Sequence, residues 1–248
     1  MDDSRLLMAR LANVTKAFDL RHTRSIKEYV VWLATGRKGD FSETFNALDD
    51  VSFDIHQGES VALLGFNGSG KSTTLKLVSG VLLPDEGSVQ VRGRVAGLIE
   101  VGAGMHPDLT GRENVYLNAA ILGLDEAEVD DRFDSIVEFS GIEKFIDTEV
   151  KFYSSGMYMR LAFSIAVHSN PDLFLVDEVL AVGDEPFQRK CIDKMLELRA
   201  SGQTLMVVSH DLDLIKTVCE RGIVLRNGQL LLDADINEAV DYLRALDG

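Results

Sequence analysis

The sequence is poor in cysteine and in basic residues, and each shortage excludes a class of protein. Only two of the 248 residues are cysteines, Cys191 and Cys219, and they form no C-x-x-C pair. Neither a disulfide framework nor a zinc knuckle is therefore indicated, and a reducing cytoplasm is the simplest location. Lysine and arginine number 25 against 40 acidic residues, a net charge of −15. Because binding to a nucleic-acid backbone needs clustered basic side chains, no nucleic-acid partner is expected.

Long apolar runs are also missing. No uncharged apolar stretch approaches the roughly 20 residues that a membrane-spanning helix needs. The N-terminus, MDDSRLLMAR, is acidic where a secretion signal would be basic, so no secretion is expected. The hydrophobic content of 46% is nevertheless enough for a substantial core in one large α/β domain or two small ones. Any membrane role is thus expected to act from outside the lipid or through a partner.

One segment, at about residues 20–45, runs against the acidic background. It contains several basic residues and the only tryptophan, Trp32, around an apolar stripe at helical spacing formed by Ile26, Tyr29, Val30 and Leu33. Such a composition is typical of a helix at a membrane interface or against a membrane partner. A surface helix docked on its own domain explains the pattern equally well.

The stretch GFNGSGKST, residues 65–73, fits the pattern G-x-x-x-x-G-K-[ST]. An aliphatic run, ESVALLG, precedes it as a predicted strand, and KSTTLKLVSGVL follows as a predicted helix. A loop of this kind holds a phosphate group with its backbone N–H groups and the helix N-terminus. We expect Lys71 to pair with the β- and γ-phosphates, Ser72 to bind Mg²⁺ and Thr73 to lie near the α-phosphate. The alternative is an ordinary tight turn with a surface lysine. The phosphate-binding set comprises Gly65, Phe66, Asn67, Gly68, Ser69, Gly70, Lys71, Ser72 and Thr73.

Polar side chains also end two further predicted strands. Asp177 and Glu178 follow the apolar residues 173–176, and His210 ends TLMVVSH. Since parallel strands bring their carboxyl ends to one edge, Asp177 is placed to hold Mg²⁺ and Glu178 to act as the general base. His210 could bond the γ-phosphate and the attacking water. A carboxylate pair after a strand is common, and a lone histidine is more often a turn residue.

Several helices are predicted from capping signals. Thr110 and Glu113 form a capping box at TGREN, and a helix over residues 126–139 should begin at Asp125 and stop at Gly141. The last helix is INEAVDYLRALDG. In YSSGM, Ser154, Ser155 and Gly156 are predicted to lie immediately before another helix, where their small side chains and free N–H groups suit an anion. The loop at residues 65–73 already surrounds one phosphate, so this second site is expected to serve another subunit.

In chain order, GFNGSGKST, YSSGM, LFLVDE, LAVGD and His210 resemble the Walker A, signature, Walker B, D-loop and H-loop motifs of ATP-binding cassette (ABC) ATPases. The resemblance covers nearly the whole chain. It implies an α/β fold with a P-loop NTPase core, a mostly parallel sheet flanked by helices, together with an antiparallel β subdomain and an inserted helical subdomain at about residues 105–168. It also implies ATP and Mg²⁺ as ligands of a single nucleotide-binding domain, residues 1–248.

Further roles come from the resemblance alone. Two copies would sandwich two ATP molecules, with Ser154, Ser155, Gly156 and Met157 of one copy capping the γ-phosphate held by the other. Phe18 would stack on adenine, and Asp184 is the D-loop aspartate. Glu100 stands where the family places a glutamine that binds Mg²⁺, and YSSGM departs from the usual L-S-G-G-Q.

These departures, with the basic N-terminal segment, are similar to the ABC branch that exports O-antigen, capsule, teichoic acid and cell-wall galactan. The resemblance implies an ATPase that drives export of a lipid-linked polysaccharide, bound through a multi-span permease to the cytoplasmic face of the inner membrane. No C-terminal carbohydrate-binding domain is expected. The alternatives are the ATPase of another ABC importer or exporter, and a soluble ABC ATPase that works on ribosomes or DNA.

Overall fold

Two β-sheets and eight α-helices make up the described part of the chain, which in the computed structural model comprises residues 5–21, 42–97, 104–177 and 184–246. The strands are β1 Leu7–Arg21, β2 Ser42–His56, β3 Ser60–Leu64, β4 Glu86–Val91, β5 Val95–Gly97, β6 Leu173–Asp177, β7 Thr204–Val208, β8 Arg221–Arg226 and β9 Gln229–Asp235. The helices are α1 Lys71–Val78, α2 Gly111–Ile121, α3 Glu126–Asp130, α4 Phe133–Ser140, α5 Ser155–Val167, α6 Glu185–Ala200, α7 Leu212–Val218 and α8 Ile236–Ala245. None of the helices in these ranges has the length and apolar character needed to cross a bilayer.

The central sheet has the strand order β5-β6-β7-β3-β8-β9. Neighbouring strands are parallel except for β9, which pairs antiparallel with β8. Strands β3 and β7 are buried along their whole length, as expected of a parallel sheet covered on both faces. Their carboxyl ends lie at the edge of the sheet where the loops at residues 65–73 and 209–211 begin.

Alternate residues of β3 face different layers. Ala62 and Leu64 belong to a core shared with α5, α6, α7 and α8, whereas Val61 and Leu63 belong to a core shared with α1 and the second sheet. The second sheet is antiparallel, with the order β2-β1-β4. The predicted α/β class, with a mostly parallel core and an antiparallel part, is therefore confirmed.

A third core lies among the helices between β5 and β6. It is formed by apolar residues of α2, α3, α4 and α5, among them Val115, Val129, Ile136 and Leu161. Helix α5 also contributes Phe163 to the core under the central sheet, and so connects the helical part to that sheet.

Three predicted boundaries were wrong. The helix predicted over residues 126–139 is two helices, because the N–H of Arg132 bonds to the Val129 carbonyl three residues back and interrupts the α-helical pattern. Strand β7 ends at Val208, since Ser209 and Asp211 form a local turn, so His210 lies two residues beyond the strand. Ser155 and Gly156, predicted to precede a helix, are the first two residues of α5, and only Ser154 precedes it, as the N-cap. The basic segment at residues 22–41 lies outside the described residues.

Candidate functional site

The loop at residues 65–73, here called the phosphate loop, joins β3 to α1 as predicted. Gly65 and Gly70 have φ values of 148° and 110°. A methyl group at Gly65 would lie 2.3 Å from the Leu225 carbonyl oxygen, and one at Gly70 would lie 2.6 Å from the Ala47 carbonyl oxygen. Both positions therefore require glycine, because the backbone of neighbouring strands approaches the loop closely.

Helix α1 begins without a side-chain cap. Gly70 is the N-cap and offers no side-chain acceptor, and the first turn contains no acidic residue. The leading N–H groups of a helix are normally satisfied by a cap, by water or by a ligand. Together with the positive end of the helix dipole, this N-terminus suits a phosphate group.

Lys71 has its ammonium group inside the phosphate loop. The residue is only 8% exposed, and its Nζ donates to the carbonyl oxygens of Gly65 at 2.7 Å and Phe66 at 3.1 Å. A buried charge is tolerated only where polar groups surround it. The cation is thus already held at the centre of the loop, where a triphosphate would supply negative charge.

Ser72 and Asp177 come from neighbouring elements. Ser72 is exposed in the first turn of α1, and the half-buried Asp177 ends β6; α1 contacts β6. Within the described ranges no group of three or more His, Cys, Asp or Glu side chains could hold a metal. A Mg²⁺ ion bound with a nucleotide usually takes one or two carboxylates plus phosphate oxygens and water, so a hydroxyl and a carboxylate fit that pattern. Glu100 and Glu178 lie outside the described residues.

His210 and the first half of the phosphate loop line one cavity of about 350 Å³. The structure thus brings together His210, Phe66 and Asn67, three of the predicted site residues. Two residues of α8, Leu243 and Arg244, also line this cavity. Sequence reasoning missed them, because no motif marks the helix and only the fold brings its end to this edge.

Phe18 has an aromatic neighbour that sequence reasoning also missed. In the antiparallel pair of β1 and β2, Phe18 lies directly opposite Phe45, so both rings are on one face of the sheet. Phe18 is 40% and Phe45 is 45% exposed. The Lys16 ammonium lies 5.7 Å from the centre of the Phe18 ring and 2.8 Å from Asp85. Residues 22–41 separate the two strands in sequence, so the pairing could not be read without the fold.

The YSSGM segment begins α5 in the helical part. Ser154 is the N-cap and its Oγ accepts a bond from the Met157 N–H at 3.2 Å. Ser154 and Ser155 are exposed, and a methyl group at Gly156 would approach only Ser154 Oγ, at 3.8 Å. In the described ranges no hydrogen bond joins Ser154 to the phosphate loop.

Tyr153, which precedes Ser154, is anchored in the helical part. Its hydroxyl donates to the Phe145 carbonyl at 2.8 Å, and burial raises its pKa to about 12. The ring packs against the helical core. The tyrosine therefore fixes the start of α5 and stays protonated at neutral pH.

Comparison with known proteins gives the family. The family model described as ABC transporter matches residues 48–181. The O-antigen export system ATP-binding protein RfbB of Klebsiella pneumoniae is 45% identical over 227 residues, 88% of this chain and 90% of that protein. The teichoic acids export ATP-binding protein TagH of Listeria monocytogenes is 42% identical over 88% of this chain, which spans only 64% of TagH.

A solved structure has the same fold. A dimeric, post-hydrolysis state of the ATP-binding cassette MJ0796 bound to ADP and Pi superposes with a TM-score of 0.72, at 25% identity, over 92% of this chain and 99% of that one. The phosphate loop of this chain lies within the matched family region, residues 48–181. This chain belongs to the ABC transporter family and is an ATP-binding ATPase subunit homologous to the O-antigen and teichoic acid export ATPases.

Proposed function

We propose that this chain hydrolyses ATP to drive a bacterial transporter that exports a lipid-linked polysaccharide across the inner membrane. The observation that carries the proposal is the phosphate loop, with Lys71 held inside it and an uncapped helix behind it. The names of the relatives support a polysaccharide as the exported substrate, since these relatives are named O-antigen and teichoic acid export proteins.

In this proposal the triphosphate lies on the phosphate loop. Lys71 moves from the carbonyls of Gly65 and Phe66 to the β- and γ-phosphates, and the N-terminus of α1, with Thr73, binds the α-phosphate side. The base stacks on Phe18, with Phe45 as a second aromatic beside it. Ala47 lies beside Gly70, at the start of α1, and is two residues from Phe45 along β2. Two residues of a strand span roughly 7 Å, which is therefore the distance along β2 between the aromatic pair and the start of α1. That separation suits a nucleotide that spans both.

Ser72, Asp177 and Glu100 are the residues that would hold Mg²⁺. When bound, Mg²⁺ supplies positive charge against the β- and γ-phosphate oxygens. The Ser72 hydroxyl would bind the ion directly, and Asp177, at the end of β6, would hold it through water. Glu100 offers a carboxylate where the family has an amide, which adds one negative charge near the site.

Hydrolysis needs a base and a group that stabilises charge. Glu178 accepts a proton from a water molecule whose oxygen forms the new bond to the γ-phosphorus. The bond to the β–γ bridging oxygen breaks, and that oxygen leaves on ADP. His210, at the cavity beside Phe66 and Asn67, bonds the γ-phosphate and positions this water.

The complete site requires a second copy. Residues 154–157 of that copy, Ser154, Ser155, Gly156 and Met157, cap the γ-phosphate, and its Asp184 lies at the same interface. The dimeric cassette MJ0796 supports this arrangement. A multi-span permease would contact the dimer and place it at the cytoplasmic face of the inner membrane. With a net charge of −15, nucleic acid is not an expected partner.

The enzymatic part is tested with the purified full chain in ATP and Mg²⁺. Lys71→Ala should lower turnover at least about a hundredfold, because it removes the cation that stabilises charge on the leaving phosphates. Glu178→Gln should retain ATP but not hydrolyse it. Lys144→Ala, an exposed lysine of the helical part, serves as the control and should retain full turnover. Equal rates in wild type and Lys71→Ala would overturn the proposal.

The cargo is tested in the bacterium that carries the gene. Deleting the gene should remove the surface polysaccharide and leave its lipid-linked form inside the cell. The wild-type gene should restore export, and the Lys71→Ala gene should not. Persistence of the surface polymer in the deletion strain would overturn the assignment of cargo, even where purified protein hydrolyses ATP.

A further inference from the structure

Asp184 occupies an N-cap position but does not cap its helix. Its φ and ψ of −83° and 165° are typical of an N-cap residue, and aspartate is among the best N-cap residues. The side chain nevertheless accepts no bond from the first turn of α6. The N–H groups of Phe187 and Gln188 bond instead to the Asp184 backbone carbonyl. The carboxylate is therefore used elsewhere.

The partner of the carboxylate is Arg160 of α5. Arg160 Nη2 donates to Asp184 Oδ1 at 2.5 Å. The Arg160 guanidinium also lies over the ring of Phe187, 5.1 Å from the ring centre, and the Phe187 side chain is buried. Arg160 is thus fixed by a cation–π contact and an ion pair at once, and lysine, a point charge on a flexible stem, is not an equivalent replacement.

Arg160 lies on α5, which begins within YSSGM, residues 153–157, here called the signature segment. Gly156 and Arg160 are four residues apart in α5, and so lie on one face of the helix, one turn apart. Asp184 lies at the start of α6, on the other side of the contact. One arginine therefore joins the two elements that the proposed dimer offers to the nucleotide of the other copy.

A second contact holds α6 to the helical part. Lys190 donates to the carbonyls of Glu138 and Phe139 at the end of α4, and its ammonium lies 4.6 Å from the centre of the Phe139 ring. Phe139 in turn packs edge-on against Phe187, with ring centres 5.8 Å apart. Phe187 also packs edge-on against Phe163 of α5, so aromatic rings attach the start of α6 to both α4 and α5. Within the described ranges, Arg160 is the side chain that bonds to Asp184.

We propose that Arg160 is a positioning residue: by holding Asp184 and Phe187, it makes the signature segment and the start of α6 approach the partner's nucleotide as one unit. The inference rests on the proposed function, because it assumes an ATP site shared between two copies. It predicts that loss of Arg160 weakens ATP hydrolysis and the cooperativity between the two ATP sites of the dimer, while the chain stays folded.

The ion pair itself contributes little to folding. The side chains of Arg160 and Asp184 are 27% and 57% exposed, and pairs so exposed to water add little to stability. Replacing Asp184 by alanine also removes no cap, since the carboxylate does not cap α6. A large effect of Arg160→Ala on turnover would thus report positioning rather than stability.

The experiment measures ATP hydrolysis by the full chain over a range of ATP concentrations. Arg160→Ala should lower kcat at least about tenfold, because a misplaced catalytic group costs one to two orders of magnitude. Its Hill coefficient should fall toward one, and its Tm should stay within about 4 °C of wild type. The kcat of Arg160→Lys should lie between those of wild type and Arg160→Ala. The double variant Arg160→Ala with Asp184→Ala should be no worse than the worse single variant, since the two residues act together.

A matched control lies on α6, the helix that Asp184 precedes. Arg189 pairs with Glu185 at 2.5 Å, with both side chains 75% exposed, and Arg189→Ala should retain the kcat and Hill coefficient of wild type. Normal kinetics in Arg160→Ala, or losses that simply multiply in the double variant, would overturn the inference. Where Arg160→Ala unfolds early, Asp184→Ala decides, because normal kinetics there would also overturn it. Absence of hydrolysis by wild type would instead overturn the proposed function, and this inference with it.

Discussion

A methyl group added at Gly68 would meet nothing within 4 Å, whereas one at Gly70 would collide with the Ala47 carbonyl and with Leu48. Both glycines have positive φ, 76° and 110°. The sequence pattern predicts a glycine-rich loop but does not separate these two cases. The difference arises from the approach of β2 to the loop, which only the fold reveals.

Gly70→Ala should therefore cost about 2–3 kcal/mol of folding free energy, from backbone strain at this φ and the contact with Ala47. Gly68→Ala should cost only about 1 kcal/mol, the penalty for a left-handed conformation in open space. Urea denaturation of both variants measures the difference. Equal losses would show that the loop relaxes away from β2 when a side chain is added at position 70.

Phe45 offers a prediction about nucleotide affinity. Phe45→Ala should weaken ATP binding by about 1 kcal/mol, or roughly fivefold in Kd, because stacking on one aromatic ring contributes about that much per base. Titration of the purified chain with ATP measures the change. Phe145→Ala, which removes a ring of similar exposure from the helical part, should leave Kd unchanged. An unchanged Kd in Phe45→Ala would remove Phe45 from the base site.

Among the helices, the sequence predicted where a helix begins or ends better than whether it continues without a break. The capping box of Thr110 and Glu113 is present at the start of α2, and Gly141 ends α4 with a φ of 66°. The break between α3 and α4 was not predicted, because Val129, Ile136 and Val137 keep a helical spacing across it and are all buried. Periodicity alone does not show that Phe133 turns to stack on Tyr116, with ring centres 5.8 Å apart.

Asn114 is a structural residue in α2 that no motif marks. Its side chain is fully buried; Nδ2 donates to the carbonyls of His106, Leu109 and Thr110, and Oδ1 accepts from the His106 N–H at 2.7 Å. It thereby fixes the turn before the helix. The sequence gives no hint of this, since TGREN shows the capping residues alone.

Asn114→Ala should cost about 2–3 kcal/mol of folding free energy, because it removes four hydrogen bonds of a buried side chain, including the one that the His106 N–H donates to Asn114 Oδ1. Thr110→Ala should cost about 1 kcal/mol, the usual effect of losing a cap, and serves as the reference within the same helix. Chemical denaturation measures both. A loss in Asn114→Ala no larger than in Thr110→Ala would show that water replaces the amide in this turn.

Across the whole chain, the sequence predicts the type of each element and the composition of its loops better than it predicts which elements lie next to each other in space. The apolar run of β6 and the loop between β3 and α1 were predicted from local pattern and are confirmed. The order β5-β6-β7-β3-β8-β9 was not predicted, because nothing local indicates which strand will pair with β3. Phe45 and Arg244 were missed for the same physical reason: pairing of strands and packing of α8 bring them to the site.

Where the helical part meets the central sheet, a histidine links stability to pH. His168 follows α5, its ring is half-buried and lies 5.5 Å from the Phe139 ring, and Nδ1 lies 2.7 Å from the Ser164 carbonyl. Burial, with a smaller effect from Lys194, lowers the pKa of His168 below its ordinary value of 6.5.

The sign of the pH effect follows from proton uptake. Below about pH 6.5 the unfolded chain binds a proton at this histidine while the folded chain does not. The free energy of unfolding should therefore decrease as the pH falls from 7.5 to 5.5. Carboxylates whose pKa is lowered by ion pairs, such as Asp54 beside Arg10, lose their contribution only at more acidic pH. Urea denaturation at the two pH values measures the decrease, and His168→Gln should reduce it because glutamine does not titrate. An equal decrease in wild type and His168→Gln would show that other groups cause the acid sensitivity.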